Sequence, residues 1–260
     1  GPRSANRGGA AAGGARARAA RLQAHPVCKY VRREVRSLTA SDREAYFSAL
    51  EVLAKSESLD AGARKYGSKF MDLQAFATKH LHGLECSPFH GGLAFFTAHA
   101  AFTLQLDQSL QSVDARVVQP YWDYTIDAQV HGKAWADSIV FDDAWWGPAD
   151  VEGDSPALGG RFKGTKVPTS FSRPVHNSYG RVTSTINNDP SEYVTRGHSF
   201  CGLEVSMPLP GCSEMVGCLN TSNLVDLHQC AEDELHGNLH AVLGGSWDCG
   251  VSIFDERFPV

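Results

Sequence analysis

Histidines carry the chemistry that this sequence advertises. The stretch Asp233–Gly245, DELHGNLHAVLGG, sets His236 and His240 four residues apart, a spacing that stacks two imidazoles on one helical face. Upstream, HLHGLECSPFHGGLAFFTAH supplies His80, His82, His90 and His99. Imidazole serves as a base, a proton carrier near neutral pH or a metal ligand. An all-imidazole set without neighbouring carboxylates favours copper, zinc or iron over calcium or magnesium, and spacing alone does not choose among the first three. The plain alternative is two unrelated groups of helix histidines, each satisfied within a core. Zinc-hydrolase chemistry is excluded locally: a zincin helix needs Glu directly after its first histidine, and Gly237 stands there.

Helices must bring such groups together, because facing helices are how a bundle builds a metal site in its core. In KYVRREVRSLTASDREAYFSALEVLAKSE, Val31, Val35 and Leu38 make one apolar stripe, while Tyr46, Ala49, Leu50 and Leu53 make another. The pattern predicts two short helices, the second capped by Thr39 or Ser41. SKFMDLQAFATKHLHG places Phe70, Leu73, Ala77 and His80 on one face, with Gly83 suited to end the helix. After Pro88 and Gly91-Gly92, the residues Phe95, Phe96, His99, Phe102, Thr103 and Leu106 recur at helical spacing. VVQPYWDYTIDAQVHG reads as an extended, aromatic-rich turn. From Trp145 to Pro210 periodicity fades, predicting long loops with a few short strands such as 181–186. Residues Leu224 to Leu243 return to helix, with Leu227, Leu235, Leu239 and Val242 buried.

Composition narrows the function classes. A chain of 260 residues with 42% hydrophobic content is long enough for a sizeable core. Its net charge of −5 offers no general footprint for nucleic acid, and no apolar run approaches the roughly 20 residues that span a bilayer. The Gly/Ala/Arg-rich residues 1–26 are expected to form a flexible tail ahead of one domain over 27–260. Of seven cysteines, Cys201, Cys212, Cys218, Cys230 and Cys249 crowd the end of the chain, which suggests disulfides and a secreted or lumenal location; buried unpaired thiols are the alternative. Asn220-Thr221-Ser222 is a glycosylation sequon of the kind that also arises by chance.

Three motifs in order, HGGLAFFTAHAAFTLQLDQSLQ, PYWDYT and HGNLHAVLGG, resemble the tyrosinase, catechol oxidase and molluscan haemocyanin superfamily of dinuclear type 3 copper proteins. The resemblance implies a mainly α fold, with a four-helix-bundle core of the tyrosinase type, long loops and a few short strands. It implies two copper ions, each held by three histidines. His90 and His99 match the second and third ligands of the first copper, and His236 and His240 match the first two of the second. The remaining ligand of the first copper is His80 or His82: His82-Gly83 resembles the usual histidine-glycine pair, whereas His80 better keeps the apolar phase of its helix. Asp107, Tyr121, Trp122 and Asp123 take packing roles, and Cys86 a disulfide or a thioether to histidine.

The resemblance further implies oxidation of o-diphenols to o-quinones with O2. Gly237 stands where many phenol-hydroxylating relatives have Asn, so monophenol hydroxylation is not expected. The family's last histidine has no counterpart after His240, so the chain is expected to be incomplete at its C-terminus, to receive that ligand from another chain, or to have lost the second site. A noncatalytic domain, binding oxygen or supporting a larger assembly, is the alternative function.

Overall fold

The computed structural model describes residues 28–82, 88–150, 157–166, 175–176, 182–184, 193–194, 199–200, 203–204 and 208–243. The chain divides into a short unit, Gly1–Val31, and a large one, Arg32–Val260. The expected tail, Gly83, Cys86, Cys201, Cys249 and the chain end lie outside the described residues. In the large unit the first regular piece is a single 3-10 turn, Val35–Ser37, rather than a helix. Val31, assigned to a buried stripe by pattern, is exposed. Arg33 and Val35 instead spend their backbone groups across the chain: Val35 N–H donates to Tyr121 O at 2.9 Å, and Tyr121 N–H to Arg33 O at 3.0 Å.

Helix α1 (Ala40–Ala54) begins at Thr39, whose hydroxyl accepts from Asp42 N–H, leaving Asp42 in the first turn where the helix dipole favours a negative charge. Tyr46, Phe47, Ala49, Leu50 and Leu53 form its buried stripe. Helix α2 (Leu59–Tyr66), not expected from periodicity, is capped by Ser58 and ends at Gly67 with φ +95°. Its turn signals were present, but its short polar sequence LDAGARKY has little apolar repeat. Helix α3 (Leu73–His82) starts later than the pattern suggested, because Asp72 Oδ1 takes the Ala75 N–H at 2.7 Å and sets the boundary.

Helix α4 (Ala94–Val113) is the long axis of the site. Fully buried Ser109 joins it to the start of α3, donating to Met71 O at 2.7 Å and accepting from Met71 N–H at 2.8 Å. Asp107, also buried, accepts from Arg32 and, at 2.8 Å, from Gln119 N–H. Helix α5 (Tyr124–His131) replaces the extended turn expected there. Asp123 caps it through Thr125 N–H, while Trp122 and Tyr124 pack against the core from either side of that cap; a helix of this length is set by its cap and packing rather than by periodicity.

Among the described residues three two-stranded antiparallel pairs follow: β1 (Ala149–Asp150) with β2 (Ala157–Leu158), β3 (Val175–His176) with β4 (Val182–Ser184), and β5 (Ser199–Phe200) with β6 (Leu203–Glu204). Helix α6 (Cys212–Leu219) and helix α7 (Leu224–Cys230) are clamped by the disulfide Cys218–Cys230. The predicted helix over Leu224–Leu243 is interrupted: a π-helical segment, Ala231–Gly237, separates α7 from α8 (Asn238–Leu243). The core gathers Phe47, Leu53, Phe70, Phe76, Leu110, Val140 and Val242 from the helices and the loops between them. The fold is mainly α, and among the described residues no helix is long and apolar enough to cross a membrane.

Candidate metal centre

The α3–α4 pair explains why two distant histidines meet. Met71 and Ser109 pin the helices together at one end, and they run antiparallel from there. His80 lies nine residues beyond Met71 and His99 ten before Ser109, so at 1.5 Å per residue each sits about 14–15 Å from the pin. Their ring centroids are 5.6 Å apart. His90, on the loop between the helices, lies 4.7 Å from the His80 ring and 5.6 Å from the His99 ring. One ring nitrogen from each of His80, His90 and His99 falls within 4.8 Å of the others, a grouping suited to one ion. His82 ends α3, but its side chain lies outside the described residues.

The second group arrives from the C-terminal helices. His236 ends 5.6 Å from the His90 ring and 5.4 Å from the His99 ring. His240 stacks edge-on against it at 4.5 Å, with the two Nε2 atoms 3.0 Å apart. Four-residue spacing puts each neighbouring pair on one face, and the π segment adjusts the longer run. In an α-helix, residues four apart drift by about 40° around the axis. Hydrogen bonding from i to i+5 winds the chain more loosely and counters that drift. His228, Glu232, His236 and His240 can therefore descend one face. Gly237 suits the loosened turn, since a β-carbon there would lie 3.2 Å from the Glu232 carbonyl oxygen.

Burial sets the protonation states. His80 is pushed down to about 3, first by desolvation and then by neighbouring His90 and His99. His90 falls to about 4 and His236 to about 3 for the same leading reason, and His240 is also lowered by burial. At neutral pH these rings are uncharged and each keeps a nitrogen lone pair. His99 is fixed still more closely. Its Nδ1 lies 2.9 Å from Phe95 O, and because a carbonyl can only accept, Nδ1 carries the proton. Nε2 is buried and without a hydrogen-bond partner, and in the neutral ring it is the nitrogen that carries the lone pair. Such an orphan costs about 1–3 kcal/mol, and a metal ion would satisfy it. A ligand histidine whose other nitrogen donates to a backbone carbonyl is the usual arrangement at metal sites.

Aromatic walls surround the group. Phe89 lies against His80 and His99, and Phe95 against His99 and His236, with ring separations of 4.5–5.6 Å. Neutral imidazole donors, with no carboxylate in the group among the described residues, suit copper, zinc or iron. The residue that sequence reasoning missed is Glu232, only 3% exposed. It accepts from Gly91 N–H at 2.8 Å and lies 2.6 Å from His228 Nε2, off the axis of an aligned hydrogen bond. The signal was available: His228, Glu232, His236 and His240 repeat every four residues.

Residues 68–259 match the family described as the common central domain of tyrosinase. A tyrosinase of Streptomyces lincolnensis is 23% identical over 239 residues, covering 88% of this chain and 77% of its own. A tyrosinase of Streptomyces galbus is 31% identical over 111 residues, or 42% of this chain and 38% of its own. Grixazone synthase of Streptomyces griseus is 30% identical over 124 residues, or 46% of this chain and 38% of its own.

Proposed function

The chain belongs to the tyrosinase family, and on that premise we propose that it holds a pair of copper ions with which it oxidises o-diphenols to o-quinones, using O2. The observation that carries the proposal is the convergence of His80, His90, His99, His236 and His240, uncharged at neutral pH where a shift is resolved, on one half-buried, aromatic-walled pocket. His80, His90 and His99 would hold the first ion. His236 and His240 would hold the second from the opposite wall, together with a ligand outside the described residues or from another chain.

Bound there, the copper pair supplies the one-electron steps between diphenol and O2. The chain supplies the setting. Two o-diphenols each lose two electrons and two protons, one O2 takes them up as two waters, and two o-quinones leave. The rings of His80, His90 and His236 resist protonation, so their nitrogens stay available as ligands at neutral pH. The Phe95 carbonyl keeps the His99 proton on Nδ1 and aims Nε2 inward. Phe89 and Phe95 exclude water, which strengthens every charge interaction inside.

Gly237 brings no side chain to the position after His236, which supports diphenol oxidation without monophenol hydroxylation. Copper per chain, measured after loading and dialysis, together with O2 uptake on a catechol and on its monophenol counterpart, tests the reading. Two coppers and uptake with catechol alone are expected. No copper overturns the proposal, and copper with no turnover points to an oxygen-binding domain instead.

A further inference from the structure

Two half-sites that arrive from opposite ends of a chain need something to fix their separation, and the structure holds a candidate. Glu232 lies in the π segment, one helical step before His236, and is buried. Its Oε1 accepts the Gly91 N–H at 2.8 Å, across 141 residues of sequence. Gly91 adjoins His90 and bends the loop with φ +72°, a conformation that glycine adopts without strain. Oε2 lies 2.6 Å from His228 Nε2 one helical step earlier, and Phe95 packs against both the His228 and His236 rings, at 5.7 and 5.1 Å.

We infer that Glu232, steadied by His228, is a positioning residue that fastens the His90 loop to the helix carrying His236 and His240, and so sets the spacing of the two half-sites. The inference rests on the copper reading above for its consequence, but the clamp itself belongs to the metal-free chain. Three features support it. The carboxylate reaches the backbone beside one proposed ligand while standing four residues from another. One of its oxygens accepts the Gly91 N–H and the other lies against the His228 ring within a buried setting, which restricts its rotamer. Its four-residue spacing from His236 within one helical run places the two side chains on the same face.

Gly91 is itself exposed, so without the carboxylate its amide would meet water. Amide exchange at Gly91 in copper-free protein therefore reads the clamp directly, with α1 amides as the internal standard for global opening. Glu232→Ala is expected to speed Gly91 exchange at least tenfold relative to those amides, and to weaken copper binding by roughly 10–100-fold. Glu232→Gln, which keeps an acceptor oxygen of the same reach, is expected to restore slow exchange and most of the affinity. Unchanged Gly91 exchange in Glu232→Ala overturns the inference, as does fast exchange in Glu232→Gln. Unchanged copper affinity with faster exchange also overturns it, since the spacing would then not depend on the clamp. If the unaltered chain binds no copper, the functional reading fails while slow Gly91 exchange, lost in Glu232→Ala, still establishes the contact.

Discussion

His99 shows a side chain kept against its own interest in stability. Its Nε2 is buried and unpartnered, which raises the energy of the metal-free fold by about 1–3 kcal/mol. Replacing it with an apolar ring of similar shape removes the orphan. His99→Phe is therefore expected to leave the copper-free protein as stable as before, or about 1 kcal/mol more stable, while copper per chain falls; urea midpoints and metal analysis on the same samples check both halves. A clear loss of stability would mean that the nitrogen already has a partner. Protons act on the same pocket in a definite direction. His80, His90 and His236 bind protons at about 3, 4 and 3 when folded, against about 6.5 when unfolded. Between those values the unfolded chain takes up protons that the folded chain refuses, so stability is fully present above about pH 6.5 and is lost as pH falls toward 3. Denaturant midpoints of copper-free protein at pH 7, 5.5 and 4.5 should fall in that order, and a flat profile would show that these rings are better solvated than their burial implies.

At the scale of elements, the helices with a sustained apolar repeat were legible and those set by caps were not. The stripe of α1 and the His80 phase of α3 can be read directly from residue spacing. The helix α2 escaped notice because its close approach to Phe70 is invisible in sequence: a β-carbon on Gly62 would lie 1.9 Å from Phe70 Cε1. Gly62→Ala is expected to cost about 1–3 kcal/mol through overpacking, although alanine is the better helix former; thermal melting decides which effect wins. The π segment was equally illegible, since apolar periodicity over Leu224–Leu243 fits one continuous helix. The histidine–glutamate ladder at four-residue spacing fits a regular α-helix as well, so it does not mark the looser winding. The disulfide Cys218–Cys230 ends at the residue before that segment and closes a loop with a sequence separation of 12. Replacing both cysteines with Ala is expected to cost about 3 kcal/mol, read as a lower urea midpoint.

Across the whole molecule, the site depends on pieces far apart in sequence being held in one frame, and Asp127 is where several of them meet. It is 1% exposed. One oxygen accepts from Arg36 Nη1 at 2.8 Å, the other from Trp122 Nε1, and Arg36 also donates to Asp123 O at 2.8 Å. The first 3-10 turn, the PYWD turn and α5 thus share one carboxylate. The sequence placed Trp122 and Asp123 in a packing turn by resemblance, but nothing in it paired Arg36 with Asp127, because contacts across 91 residues leave no local pattern. Removing the carboxylate leaves the Trp122 N–H without its acceptor, while Arg36 keeps Glu34, its ion-pair partner at 2.8 Å. Leaving a buried donor unsatisfied costs about 1–3 kcal/mol, so Asp127→Ala is expected to lower the melting temperature and Asp127→Asn, which keeps an acceptor for Trp122, by less. None of these groups touches the histidine cluster. Below its own melting transition, Asp127→Asn should accordingly hold as much copper per chain as the unaltered protein. Loss of copper from still-folded Asp127→Asn would show instead that the frame and the metal pocket are not separable, and that the cluster geometry is strained into place by the whole molecule.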